Sequence, residues 1–127
     1  MKLRRRLLLL AAIAACAALV LPAVATADDD GQVRKAGTCT ASSRMTIRLR
    51  TDDDAIRVEL EIRTGRQGSA WNVILLHERR TAFRGVIRSR SDTVRLRRTI
   101  ANWFGRDSIV VRASGPRLET CRVSAAV

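Results

Sequence analysis

The chain has 127 residues, a formal charge of +12 at pH 7, one histidine and three cysteines. That length accommodates one domain after a leader and leaves no room for a second. A lone histidine and widely spaced cysteines lack metal-ligand spacing, and 3% aromatic residues argue against a single-strand nucleic-acid binder, which stacks bases on aromatic rings.

Residues 1–27, MKLRRRLLLLAAIAACAALVLPAVATA, read as a signal peptide. Lys2, Arg4, Arg5 and Arg6 form a basic start, Leu7 to Leu21 is an apolar run too short for a typical membrane span, and Pro22 breaks the expected signal helix. Ala25-Thr26-Ala27 offers small residues to a peptidase, so cleavage is expected after Ala27, releasing a secreted protein. A rival reading takes Ile13-Ala14-Ala15-Cys16 as a lipobox and Cys16 as a lipid anchor. Against it, AALVLPAV stays apolar after Cys16, where a lipoprotein turns polar.

Removing the leader leaves 100 of the 127 residues and, with its four bases gone, lowers the charge from +12 to +8. Lys35 is then the only lysine. This arginine excess fits a GC-rich genome, and it is also the chemistry that grips phosphate or carboxylate through two parallel hydrogen bonds. Cys39 and Cys121 remain, and an even count in an exported chain reads as one disulfide.

Residues 28–36 are polar and read as a flexible lead-in, with the folded domain at 37–127. Period-two segments follow. Ser43–Thr51 carries Met45, Ile47 and Leu49 on one side, and Ala55–Thr64 carries Ile56, Val58, Leu60 and Ile62. A four-residue loop at Thr51–Asp54 would pair Arg48 with Arg57 and Arg44 with Glu61, keeping both apolar rows on one face. Ala70–Glu78 points Trp71, Val73 and Leu75 inward, and Thr81–Ser89 points Phe83, Gly85 and Ile87 inward. Asp92–Thr99 alternates Val94 and Leu96 with Arg95 and Arg97. After a crossover at Ile100–Asp107 come Ser108–Ser114 and Leu118–Ala126. About seven short strands at this spacing predict an all-β antiparallel sandwich or barrel.

Trp71 early in the third strand, GRDSIVVRA at Gly105–Ala113 and the seven-strand order resemble an immunoglobulin-like sandwich. Ala36–Cys39 (AGTC), Trp71, Phe83-Arg84-Gly85, Val94-Arg95, Asn102, Gly105-Arg106-Asp107 and Cys121 are similar to a group of small exported proteins of high-GC Gram-positive, actinobacterial type. The resemblance covers residues 36–127, and its motifs are structural and bring no activity. It departs from the pattern in two ways: the chain has no tyrosine for a tyrosine corner, and the cysteines join the first-strand region to the last strand. The immunoglobulin order implies that strands one, two, four and five share a sheet, opposite three, six and seven.

On that order the outer face of the first sheet collects Arg48, Arg50, Arg57, Arg63, Arg84, Arg88, Arg95 and Arg97, a candidate surface for an anionic ligand. The second sheet would turn Ile74, Leu76 and Val110 outward, a candidate partner face. Trp103-Phe104 in the crossover reads as a core plug or an exposed tip.

No catalytic or metal site is expected, and no cofactor. His77 has no suggested partner and reads as a boundary residue. Glu59 and Glu61 stand among arginines, which keeps both ionised. Asp52, Asp53 and Asp54 cannot all aim at one calcium ion and read as a solvated turn, and Asp28–Asp30 read as a mobile new terminus. The expected function is that of a secreted, non-catalytic interaction module contacting an anionic cell-surface polymer. Nucleic acid is disfavoured. The alternative is a structural or partner-associating protein, a homodimer in the simplest case, that uses the apolar face.

Overall fold

Strict alternation turns one side of each strand inward, and in the computed structural model two such sheets close over a shared core. The structure describes residues 31–103 and 105–127. The expected signal peptide with Cys16, the Asp28–Asp30 run and Phe104 lie outside the described residues.

Nine strands follow in chain order: β1 (Gln32–Ala36), β2 (Thr38–Cys39), β3 (Arg44–Asp52), β4 (Ala55–Arg63), β5 (Ala70–His77), β6 (Arg80–Arg88), β7 (Thr93–Ala101), β8 (Ser108–Ser114) and β9 (Thr120–Ala126). One 3-10 turn, Pro116–Leu118, precedes β9. Four strands form one antiparallel sheet in the order β1-β3-β4-β7, and five form the other in the order β2-β9-β8-β5-β6. The seven expected strands are all present, with ends within two residues of their expected positions. Among the described residues no helix is long and apolar enough to cross a membrane.

Between the sheets lie Ile47, Leu49, Ile56, Val58 and Ile62 of the first and Trp71, Val73, Leu75, Ile109 and Val111 of the second, all nearly inaccessible to water. Each such aliphatic side chain contributes about 1.5–3 kcal/mol by burial. The Trp71 indole N–H is also satisfied: it donates to Ser69 Oγ at 3.2 Å, and Ser69 in turn meets Ser89 Oγ at 3.1 Å.

The structure corrects three expectations. Residues 32–36 are not a loose lead-in but β1, paired with β3 from Gln32↔Arg50 to Ala36↔Thr46. One apolar residue, Val33, is its only anchor against the core, so its sequence carries almost no strand signal. The β3–β4 connection is two residues, Asp53-Asp54, because the strands pair out to Asp52↔Ala55. This slides the register by two, from the expected Arg48–Arg57 and Arg44–Glu61 to Arg48↔Glu59 and Arg44↔Arg63, and leaves every side chain on its expected face. The fourth expected strand, β6, belongs to the opposite sheet, beside β5. Only Glu78 and Arg79 separate β5 from β6, both at positive φ (47° and 67°), and a two-residue turn of that kind folds a strand back onto its predecessor.

Two glycines are required by close approach. Gly37 lies where the chain leaves β1 in one sheet for β2 in the other; a Cβ there would come within 2.6 Å of the Arg122 carbonyl oxygen. Gly115 lies against the indole of Trp71, and a Cβ would stand 2.5 Å from the ring. The expected disulfide is present: Cys39 and Cys121 face each other across the β2–β9 ladder with Cα atoms 4.1 Å apart.

Candidate anion-binding face

The outer side of the β1-β3-β4-β7 sheet is read directly from its register. Residues opposite one another share a face, with neighbouring strands about 4.8 Å apart and same-face residues about 7 Å apart along a strand. One cross-row holds Arg34, Arg48, Glu59 and Arg97. The next holds Ala36, Thr46, Glu61 and Arg95. On either side stand the rows Gln32, Arg50, Arg57, Thr99 and Arg44, Arg63, Thr93. Eight arginines thus share one face with Glu59, Glu61 and, at its corner, Asp52.

Three pairs of arginines are directly opposed across the ladder: Arg34↔Arg48, Arg50↔Arg57 and Arg44↔Arg63. Like charges in directly opposed positions destabilise a sheet. The two glutamates relieve part of this. Glu59 lies 3.7 Å from Arg48 and 3.8 Å from Arg97, while Glu61 lies 2.9 Å from Arg63 and 3.7 Å from Arg95. Asp52 meets Arg57 at 3.1 Å. Among the described residues Arg34, Arg44 and Arg50 form no ion pair. The Arg63 hydrogen bond, with the charges of Arg95, Arg63 and Arg34, holds the Glu61 carboxyl below its ordinary value against the opposing effect of partial burial. The same hydrogen bond raises the Arg63 guanidinium above its ordinary value.

Thr46 and its neighbour Ala36 are short, and a hollow of about 300 Å³ opens over Thr46, rimmed by Arg34, Arg44, Arg48, Arg63, Arg95 and Arg97 with Glu59 and Glu61 in its wall.

Of the eight arginines expected on one face, the structure brings together six: Arg48, Arg50, Arg57, Arg63, Arg95 and Arg97. Arg84 and Arg88 are carried away by β6 to the outer side of the other sheet. Arg88 still lines the open corner between β6 and β7, in a hollow of about 1000 Å³ that also contains Arg90, Arg95 and Arg97. Arg34 and Arg44 join the face instead. Arg44 has the same parity as Arg48 and Arg50, a signal available in the sequence; Arg34 becomes visible only once β1 is known to be a strand.

The expected partner residues do lie together on the outer side of the five-stranded sheet. Leu76 pairs with Val110, and Ile74 stands one outward position along β5, paired with Arg84 and Arg112. All three are half-buried, and Val86, at 63% exposure, extends the patch along β6.

His77 has a partner that the sequence did not suggest. Its Nε2 lies 2.7 Å from Asp107 Oδ1, and both side chains are buried. Trp103 stacks on the imidazole with ring centroids 4.1 Å apart, and its backbone N–H donates to Asp107 Oδ2 at 3.2 Å. Trp103 is therefore neither a core plug nor a free tip: it is a lid, 43% exposed, over the His77–Asp107 pair. The Asp107 backbone pairs with Val127 in both directions, which extends the β8–β9 ladder by one step. The arrangement closes this end of the sandwich. Among the described residues no group of three or more His, Cys, Asp or Glu side chains is placed to hold a metal ion.

Comparison with protein-family models, curated proteins and solved structures finds no significant match to the chain, and its function is read from the geometry of this face.

Proposed function

We propose that this is a secreted, non-catalytic binding module of immunoglobulin-like type whose β1-β3-β4-β7 face contacts an anionic cell-surface polymer, such as a phosphate-bearing wall glycan. The observation that carries this reading is the set of three directly opposed arginine pairs on one sheet face. A face that only needed to be wet would interleave its charges, and a local rule broken three times on one surface points to a use for that surface. Guanidinium groups on a grid of about 5 by 7 Å suit a chain of repeating anions, because each fork can take an oxyanion in two hydrogen bonds. The disulfide fits an extracellular setting, as does the reading of residues 1–27 as a signal peptide.

The test is retention on immobilised poly(glycerol phosphate) over a salt gradient. The wild-type protein elutes late, and retention falls steeply as salt rises. Arg48→Ser, Arg57→Ser and Arg95→Ser together bring elution to low salt, with circular dichroism unchanged. If the triple variant elutes with wild type, the face is not the contact surface. A second reading, association through the apolar patch of Ile74, Leu76, Val110 and exposed Val86, is favoured by the continuity of that patch across three strands. It requires a dimer in solution that Leu76→Asp converts to monomer.

A further inference from the structure

The arginine face is not uniform. Its paired and unpaired cations are separated, and that separation marks one place on it. Glu59 and Glu61 lie on β4 and hold Arg48, Arg63, Arg95 and Arg97, so that Arg34, Arg44 and Arg50, which form no ion pair among the described residues, are left on the β1–β3 side, the first two at the hollow. Arg34 and Arg44 stand diagonally on either side of the Ala36↔Thr46 pair, with Cα atoms about 14 Å apart on the strand spacings, a span that two arginine side chains leaning together can close. Between them lies the hollow of about 300 Å³.

From this geometry we infer that the hollow over Thr46 is a discrete seat for the phosphate group of a polyol or sugar phosphate ester, with Arg34 and Arg44 as its clamp and Glu61 as a resident counter-anion. The inference rests on the anionic-polymer reading and deepens it from a charged surface to a defined subsite. Three features support it. Six arginines and two glutamates line the hollow, which leaves four positive charges unbalanced, more than one carboxylate ligand would neutralise and ample for the phosphodiester of a polyol phosphate chain. The floor is a hydroxyl, Thr46, able to donate to a phosphate oxygen, and the volume exceeds that of a bare ion, so part of the attached polyol fits as well. Finally, Arg63 at 2.9 Å and Arg95 at 3.7 Å already converge on Glu61, and their charges help to keep that carboxylate ionised. Glu61 thereby holds the guanidinium groups near the positions an incoming oxyanion needs, and it competes with that oxyanion.

This last point gives the seat a signature that a merely solvated face lacks: removing an acid should tighten binding. The experiment titrates glycerophosphoglycerol, a singly charged diester like the polymer's repeat, into the full exported chain, followed by the Thr46 and Ala36 amide resonances, with methyl sulfate as a control of equal charge. Saturable one-to-one binding is expected. Arg34→Ser with Arg44→Ser weakens it about tenfold or more. Arg50→Ser with Arg57→Ser, on the same face but outside the hollow, changes it less than about twofold. Glu61→Gln tightens it roughly threefold. If poly(glycerol phosphate) is retained, but both arginine pairs weaken retention alike and the small ester does not saturate, the seat is overturned while the polymer-binding reading stands. If neither polymer nor ester binds, both are overturned. Equal binding of methyl sulfate would overturn the selection of phosphate.

Discussion

The His77–Asp107 pair is the point at which the fold is most exposed to a single substitution. Asp107→Ala removes a carboxylate whose Oδ1 lies 2.7 Å from His77 Nε2 and whose Oδ2 accepts the Trp103 N–H at 3.2 Å. Both members of the pair are almost inaccessible, so the stranded imidazole nitrogen cannot turn to water without opening the Trp103 lid. Each lost hydrogen bond strands a buried polar group at a cost of about 1–3 kcal/mol, so the two together should cost about 3–5 kcal/mol. For a domain of this size that corresponds to a fall in melting temperature of about 15–30 °C. Urea unfolding at pH 7 measures the loss directly, and near-ultraviolet circular dichroism reports whether the Trp103 indole has left its stacked position. The double variant His77→Phe, Asp107→Leu should lose less than the sum of the two single changes, because neither partner is then left buried alone. A loss below about 1 kcal/mol for Asp107→Ala, or strict additivity in the double variant, would refute this account.

Three further outcomes follow from the same structure. Cys39→Ala with Cys121→Ala removes a crosslink between residues 82 apart in sequence and should cost about 4.5 kcal/mol on the chain-entropy account, read as a lower urea midpoint that reductant reproduces in the wild-type protein. Gly115→Ala drives a methyl group to 2.5 Å from the Trp71 indole and should cost about 1–3 kcal/mol, with a shift in tryptophan emission; unchanged stability would mean that the β8–β9 connection yields easily. Because the Glu61 pKa is lowered on folding, the contribution of this carboxylate is present above its ordinary value of 4.5 and lost as pH falls through the lower folded value. Wild type should therefore lose more stability than Glu61→Gln between pH 4.5 and pH 2, and parallel curves would show that the guanidinium cluster does not hold the carboxylate.

Strand positions and facing were legible because alternation is a local property. Ile56, Val58, Leu60 and Ile62 point inward while Arg57, Glu59, Glu61 and Arg63 point outward, and no choice of neighbour could change that without turning the row inside out. The two-residue slip between β3 and β4 illustrates the limit: parity survived, but the pairings changed from Arg48–Arg57 to Arg48↔Glu59 and Arg50↔Arg57. β1 escaped detection because one inward valine among polar residues is no pattern, and with it Arg34 went unrecognised. The partner of His77 lies 30 residues along the chain, at a separation that no local period reports.

The amino-acid sequence by itself determined that the described chain would be strands and which side of each strand would be apolar. Only the tertiary structure decided which strands lie side by side. It moved Arg84 and Arg88 off the arginine face, brought Arg34 and Arg44 onto it, and set Asp107 against His77. The reason is physical: a period of two residues specifies a face, whereas adjacency depends on turn length, on where the chain crosses between sheets and on contacts between residues far apart in sequence.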